Sequence, residues 1–349
     1  MTFEIADRQT LRHNPLNAVT ASVERVIDRC GNSLVRKELS APDGTAPADP
    51  RWASSVDARH WNYWRREAEA YRSAELRASL RGTGLELPAA TVESTDTGAV
   101  LWLEDVAGTP GPEFALADHV AVTRSLGHWQ AGGLLTLDWE SRDFIEQYSG
   151  SRPSPMHLLD DDQAWAQPLI AQGWPPELRG GWRRLVANRR LLLDIMKRLP
   201  RTTCHLDVWV SNQFRRPSGE VVLLDWAFAG DGAIGEDVGN HIPDAALDLF
   251  WPAERLAELD ASCTEAYLAG LHEAGWAGQD SLVRLGITAS CVKYSWLLPG
   301  MLQRAGATEH AAYHQSVDSF RLYQQRGLIL SHLVRWCDEA LDLAAKNRL

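Results

Sequence analysis

The residues best placed to do chemistry in this sequence are His205, Asp207 and Asn212, spaced His-x-Asp-x-x-x-x-Asn, with Asp225 following after a short hairpin. A carboxylate within reach of an alcohol can orient it and take its proton late in a transfer. An Asn and a second Asp supply the hard oxygen ligands that magnesium prefers and leave its other positions to phosphate oxygens and water. The spacing therefore suits phosphoryl transfer from a nucleotide, with Asp207 as base and Asn212 and Asp225 on the metal. The ring of His205, two residues before Asp207 on an extended loop, falls on the same side as Asp207 and is expected to brace the loop through hydrogen bonds.

Such a site also needs a cation for the nucleotide phosphates and an acid to hold that cation. Of the 35 basic residues only Lys37, Lys197, Lys293 and Lys346 are lysines, and Lys37 is the only one in the first 196 residues. A compact ammonium in a chain that otherwise uses arginine marks a place where a planar guanidinium would not serve. Lys37 lies in the second of two β-prone runs, 22–27 and 33–39, joined by a turn at Gly31-Asn32, and a side chain from such a hairpin can reach the α and β phosphates. A helix is expected over 59–80, capped by Asp57 or Ser55 and ended by Gly82 and Gly84. With Trp64 as the centre of its apolar face, Glu67 falls within about 60° and Glu69 about 140° away, so Glu67 is the inward carboxylate.

The elements around these residues divide the chain. Strands are expected at 89–93 and 98–104, and Gly108-Thr109-Pro110-Gly111-Pro112 is the strongest boundary signal of the first half. Beyond it the apolar spacing turns helical over 114–131 and 177–199, is interrupted by the 204–225 loop and hairpin, and becomes helical again from 245 onward. The turn at 217–220 would bring Asn212 and Asp225 to the same end of a two-stranded ribbon. The expected fold is α+β and bilobal: a small strand-rich N-lobe over 1–108 with one key helix, and a larger, mainly helical C-lobe over 109–349. A ligand between them would touch Lys37 from one side and Asp207, Asn212 and Asp225 from the other.

Composition narrows the partners. A length of 349 residues is more than one core usually supports, and 45% hydrophobic with 23% charged residues is ordinary for a globular chain. No run of eighteen apolar residues exists to span a bilayer, and the first twenty residues lack the apolar centre of a secretion signal, so a cytoplasmic location is expected. The net charge of -11 disfavours a nucleic-acid partner. Cys30, Cys204, Cys263, Cys291 and Cys337 form no close pair and read as thiols, without a disulfide framework or zinc knuckle. Trp52, Trp61, Trp64, Trp165, Trp174 and Trp182 read as core and lobe-packing residues before they read as ligand contacts.

The order Lys37, Arg66-Glu67-Ala68, Leu103-Glu104-Asp105, His205-x-Asp207-x-x-x-x-Asn212 and Asp225 resembles the aminoglycoside phosphotransferase family of kinase-like enzymes and spans most of the chain. The segment from Asp225-Trp226 to Gly235-Glu236-Asp237 also looks like that family's magnesium segment, with Asp237 in the place of a later structural, loop-bracing acid. The resemblance implies a protein-kinase-like fold, ATP or GTP at a hinge of Leu103, Glu104, Asp105 and Val106, magnesium, and transfer of the γ-phosphate to a hydroxyl held by the C-lobe. One departure is the phosphate-covering loop, which reads Asn17-Ala18-Val19-Thr20-Ala21-Ser22 without a glycine; backbone amides and the Thr20 and Ser22 hydroxyls would have to approach the phosphates there.

The acceptor is expected to be a small hydroxylated metabolite or antibiotic, amine-bearing if the acids Asp231, Glu236, Asp244 and Asp248 bind it. A Ser or Thr of a biosynthetic precursor peptide is the alternative. Two readings come from other classes. A metal-dependent hydrolase would use His205, Asp207 and Asp225 as ligands but gives no role to Lys37 or Glu67. A catalytically silent nucleotide-binding protein would fit the glycine-free loop.

Overall fold

The computed structural model describes residues 4–307, 311–312 and 315–349, with the side chains of 311–316 outside the description. Its first sheet is antiparallel and five-stranded. The central hairpin joins β2 (Thr20–Asp28) to β3 (Ser33–Ser40), and β1 (Ile5–Thr10) forms one edge. Gly98–Glu104 pairs with β3, and Ala90–Ser94 closes the other edge. The hairpin turns where expected because Asp28 Oδ1 accepts the backbone amides of Cys30 and Asn32, both at 2.8 Å, and Gly31 takes a left-handed φ of 84°. Along β3 the period-2 pleat puts Lys37 and Leu39 on the buried face, and Leu101, the cross-strand neighbour of Lys37, is fully buried.

The helix expected over 59–80 is shorter and broken. Helix α1 covers only Arg66–Arg72, and a second helix runs Ala74–Ser79 after Ser73, whose hydroxyl accepts the Leu76 amide at 3.0 Å. The residues before α1 stay irregular because their carbonyls are engaged elsewhere. Arg66 donates to the backbone oxygens of Ala58, His60 and Trp61, which removes acceptors a continuous helix would need. Neither Asp57 nor Ser55 caps α1, whose N-cap position is taken by Arg65 without a side-chain capping bond.

The lobes are stitched by a small four-stranded sheet. Leu85–Glu86 runs parallel to Val221–Leu223, and Thr109–Pro110 pairs with Gln213–Arg215. A Cβ on Gly108 would lie 2.3 Å from Arg215 O, so only glycine permits this closeness at the join. The C-lobe is built on the pair Leu116–Gln130 and Leu256–Glu273. Their backbones approach at Gly127 and Gly270, where added methyl groups would meet Tyr267 O at 2.2 Å and Arg124 O at 2.0 Å. The helix expected over 177–199 is two, Leu178–Ala187 and Arg189–Arg198, broken at Asn188, whose side chain donates to Arg184 O at 2.9 Å.

The core includes Trp61, Trp64, Trp174, Trp182, Trp226 and Trp336, while Trp52 and Trp165 pack partly buried against it. Four of the five cysteines are buried, Cys30 is exposed, and none is bridged. Among the described residues no helix is long and apolar enough to cross a membrane.

Candidate active site

The loop after strand Arg201–Cys204 is held from below by one carboxylate. Asp237, in the first turn of the helix Glu236–Leu247, accepts the backbone amides of His205 at 2.8 Å and Leu206 at 2.7 Å, and the Gln130 side chain at 2.7 Å. Gln130 is fixed in turn by the Tyr267 hydroxyl at 2.6 Å. Burial pushes the Asp237 carboxyl up to about 6 even though these donors favour the anion. The clamp holds Leu206 at φ 64°, a left-handed conformation costly for a leucine, and that twist sets the direction in which the next residue, Asp207, leaves the loop.

His205 has both ring nitrogens engaged by backbone. Nδ1 accepts the Asp207 amide at 3.2 Å, so Nε2 carries the proton and donates to Leu224 O at 3.0 Å, next to Asp225. Burial keeps the ring neutral, with its pKa lowered to about 4. The histidine thus ties the loop to the second acid and has no nitrogen left for a metal.

Asn212 donates through Nδ2 to Asp207 O at 3.1 Å and to Asp207 Oδ2 at 3.0 Å, which leaves its Oδ1 as the atom able to face a cation. Leu224 donates its amide to Asn212 O at 2.8 Å, and the hairpin brings Asn212 and Asp225 to one end of the ribbon. Asp225 sits at φ 58°. Burial, then the neighbouring Asp225, pushes the Asp207 carboxyl up to about 7, against the fields of Lys293 and the Asn212 amide.

Across the cleft, Lys37 Nζ lies 2.7 Å from Glu67 Oε2 and 3.1 Å from Asp225 Oδ1. Burial opposes the ammonium, but Asp225 and Glu67 outweigh it and raise the Lys37 pKa. Burial pushes Glu67 up to about 7 against the pull of Lys37. Glu69, by contrast, is half-buried and pairs with Arg65 at 2.9 Å. One turn after Glu67 on the same face, the Tyr71 hydroxyl accepts the Asp225 amide at 3.2 Å.

Arg66 fixes the helix to the acid segment. Its buried guanidinium also donates to Trp139 O and Ala227 O, each at 2.9 Å, so α1 is held to the residues just after Asp225.

Among the described residues no group of three or more His, Cys, Asp or Glu side chains gathers as a metal cage. Two oxygen donors, Asn212 Oδ1 and an Asp225 carboxylate whose present neighbour is the Lys37 ammonium, suit a magnesium ion completed by phosphate and water.

Other expected residues stand apart from this cluster. Thr20 and Ser22 lie within β2 and not in a loop, and Ser22 donates to Glu38 at 2.9 Å. Leu103 and Val106 are buried at the end of the sheet. Glu104 forms a two-armed pair with Arg216 at 2.7 and 2.8 Å, and Asp105 another with Arg25 at 2.7 and 3.2 Å. The four acids named for an amine are engaged within the fold. Asp231 holds Arg201 at 2.7 Å, Glu236 accepts the Ala233 amide at 2.9 Å, Asp244 meets Lys293 at 3.3 Å and Tyr294 at 2.8 Å, and Asp248 accepts Trp209 Nε1 at 2.8 Å. Asp244 is also among the groups that raise the Asp207 pKa.

Sequence reasoning missed Arg66, Tyr71, Lys293 and Arg152. The scarcity that marked Lys37 applies equally to Lys293, and Tyr71 shares the face of Glu67 one turn on. Arg66 and Arg152 carry no such signal, because arginine is everywhere in this chain.

No family model matches the sequence, and no curated protein resembles it significantly. Solved structures do share its fold. An aminoglycoside phosphotransferase from Alicyclobacillus acidocaldarius superposes with a TM-score of 0.52 at 16% identity, covering 100% of this chain and 94% of its own. An amicoumacin kinase in complex with AMP-PNP, Ca2+ and its antibiotic gives 0.51 at 14% identity, covering 96% and 88%. A choline/ethanolamine kinase family protein from Mesorhizobium loti gives 0.50 at 15% identity, covering 96% and 92%. The α+β bilobal fold expected from the motifs is the one observed, and it is the kinase-like fold of these phosphotransferases.

Proposed function

We propose that this chain is a magnesium-dependent O-phosphotransferase that moves the γ-phosphate of ATP or GTP to a hydroxyl of a small molecule. The observation that carries the reading is the convergence of Lys37 and Glu67 on one side of the cleft with Asp207, Asn212 and Asp225 on the other. The hydrolase reading needs a metal-binding imidazole, and both nitrogens of His205 are engaged by backbone. The silent-protein reading leaves a half-buried carboxylate, its pKa raised beside Asp225, without a task. Structures of the same fold include one holding a nucleotide analogue and a divalent cation, which supports both cofactors here.

In this reading Lys37, held by Glu67, pairs with the α and β phosphates, and Asn212 Oδ1 and Asp225 hold the metal. The metal, when bound, neutralises charge building on the β and γ oxygens. Asp207 accepts a hydrogen bond from the acceptor hydroxyl. As the bond from acceptor oxygen to γ-phosphorus forms, the bond from γ-phosphorus to the β-bridging oxygen breaks, and the nucleoside diphosphate leaves. The acceptor's proton passes to Asp207 and then to water. His205 and Asp237 keep the loop fixed while this happens, and the hinge residues 103–106 border the nucleotide base. Thr20 and Ser22 lie in β2, and Ser22 reaches Glu38. Any contact with phosphate near them falls to the 11–19 connection before them.

The test is to supply magnesium with ATP or GTP and a library of hydroxylated metabolites, and to measure nucleoside diphosphate and phosphorylated acceptor together. Equal amounts of both are expected. Free phosphate without a phosphorylated acceptor, or no turnover at all, would contradict the proposal.

A further inference from the structure

Among the described residues, one buried cation beside this site has neither a carboxylate partner nor a full set of hydrogen bonds. Arg152, just after the helix Phe144–Gly150, is 6% exposed. Its guanidinium lies 3.2 Å from the Tyr148 ring centre, 4.7 Å from Trp52, and 5.5 Å from both Trp61 and Trp296, so four aromatic rings box it. Nη1 donates to Tyr148 O at 2.7 Å and Ser151 Oγ at 2.9 Å, while Nη2 is buried with no hydrogen-bond partner. Among the described residues no carboxylate comes within ion-pair distance of Arg152. A guanidinium cannot shed its proton, and a buried charge without a partner is costly. The carboxylates whose field reaches it are Asp49, which is already paired with Arg51, and then Asp207.

The surroundings make this imbalance specific. Lys293, a buried cation over the same Tyr148 ring, already has Asp244, and Asp231 already has Arg201. The acids are neutralised inside the fold, and the aromatic box that could take a substrate ammonium is filled by the protein's own cation. What is lacking is negative charge.

We propose that Arg152 is the binding partner of an oxyanion on the acceptor, so that the alcohol received in this cleft carries a carboxylate or a phosphate ester. Nη2 is the donor. Trp52, one of the three half-buried rings of the box with Tyr148 and Trp296, gives way to admit the oxyanion. The word acceptor rests on the phosphotransferase reading, whereas the oxyanion site itself does not.

The experiment measures binding to the full chain by calorimetry with related probes that differ in charge: glycolate against glycolamide and ethanolamine, mandelate against mandelamide, and glycerol phosphate against glycerol. Wild type is expected to bind one oxyanion class at least about 10-fold more tightly than its neutral or cationic counterparts, the range for a charge-assisted hydrogen bond. Preference for the carboxylates or for glycerol phosphate identifies the source. Arg152→Gln should abolish the preference and Arg152→Lys retain part of it. The wild-type series needs no variant, which protects the result if Arg152→Gln misfolds. Equal or tighter binding of neutral or ammonium probes, absence of binding by every oxyanion, or full preference in folded Arg152→Gln would overturn the proposal. The same probes are then incubated with magnesium and ATP or GTP. Oxyanion binding through Arg152 without nucleoside diphosphate formation would sink the phosphotransferase reading alone, and phosphorylation of ethanolamine over glycolate would sink the oxyanion proposal alone.

Discussion

Asp207, half-buried, and Asp260, almost wholly buried, are pushed in opposite directions by their surroundings. Asp260, in the C-lobe helix Leu256–Glu273, is surrounded by donors: Arg284 at 2.5 and 3.2 Å, Thr264 at 3.2 Å, His332 at 3.0 Å and Trp336 at 2.7 Å. Burial works against its charge, but these bonds hold its carboxyl well below the usual range. Asp207 receives the Asn212 amide, lies in the field of Asp225, and is pushed up to about 7, chiefly by burial. Where the fold needs rigidity, it completes the hydrogen bonds of a buried acid. In the cleft it leaves Asp207 with its capacity partly unused, as the proton acceptor proposed for transfer requires.

Breaking the scaffold acid should have the largest effect on stability. Asp260→Asn leaves Arg284 to Glu339 alone and is expected to cost about 3–5 kcal/mol, the usual penalty for removing one partner of a buried ion pair. Urea unfolding measures it, and the fraction that remains folded should keep its transfer activity.

Arg66→Met, which removes donors from five backbone carbonyls on both lobes, should come next, at about 2–3 kcal/mol, as buried acceptors lose their partners. Unlike Asp260→Asn, it should also lower kcat in the folded protein, because the helix carrying Glu67 loses its hold on the segment after Asp225.

The pH dependence sharpens the comparison through its sign. Asp260 has a folded pKa below its unfolded value, so its stabilisation is complete above that unfolded value and is lost as pH falls toward the folded one. Asp207 has a folded pKa above its unfolded value, so its destabilising contribution grows as pH rises from the ordinary carboxylate range through about 7. Unfolding free energies across that range should show the advantage of wild type over Asp260→Asn shrinking on the acid side. The advantage of Asp207→Asn over wild type should grow toward neutrality.

The smallest effect is expected at Glu69. Glu69→Gln removes a half-exposed pair with Arg65 and should change stability by less than about 0.5 kcal/mol with activity unchanged. Glu67→Gln, two residues away, should weaken nucleotide use measurably in a steady-state assay.

Much of the site was legible because its chemistry is written in unusual residues at fixed spacing. Lys37 stood out by scarcity, Glu67 by the apolar face it shares, and Asp207, Asn212 and Asp225 by their loop and hairpin. The fold followed from turns and periodicity in β2, β3 and the strand Gly98–Glu104. β1 was not legible, since it is an edge strand exposed along nearly its whole length and has no buried face to impose alternation. The helix expected over 59–80 failed because periodicity cannot see a side chain such as Arg66 drawing carbonyls out of a helical ladder. Ion pairing was equally hidden. Asp231 and Asp244 looked available to a ligand in sequence, and only the fold brings Arg201 and Lys293 to them.

The fold leaves Asp207 underpaired, as the proposed role needs, and holds the kinase-like scaffold elsewhere. The most direct measurement is Asp207→Asn read in two ways on one preparation: phosphorylated acceptor formed with magnesium and nucleotide, and unfolding free energy at neutral pH. The account predicts that transfer falls by about 10²- to 10⁴-fold while stability is unchanged or higher. Full transfer activity in the variant, or a loss of stability like that of Asp260→Asn, would contradict it.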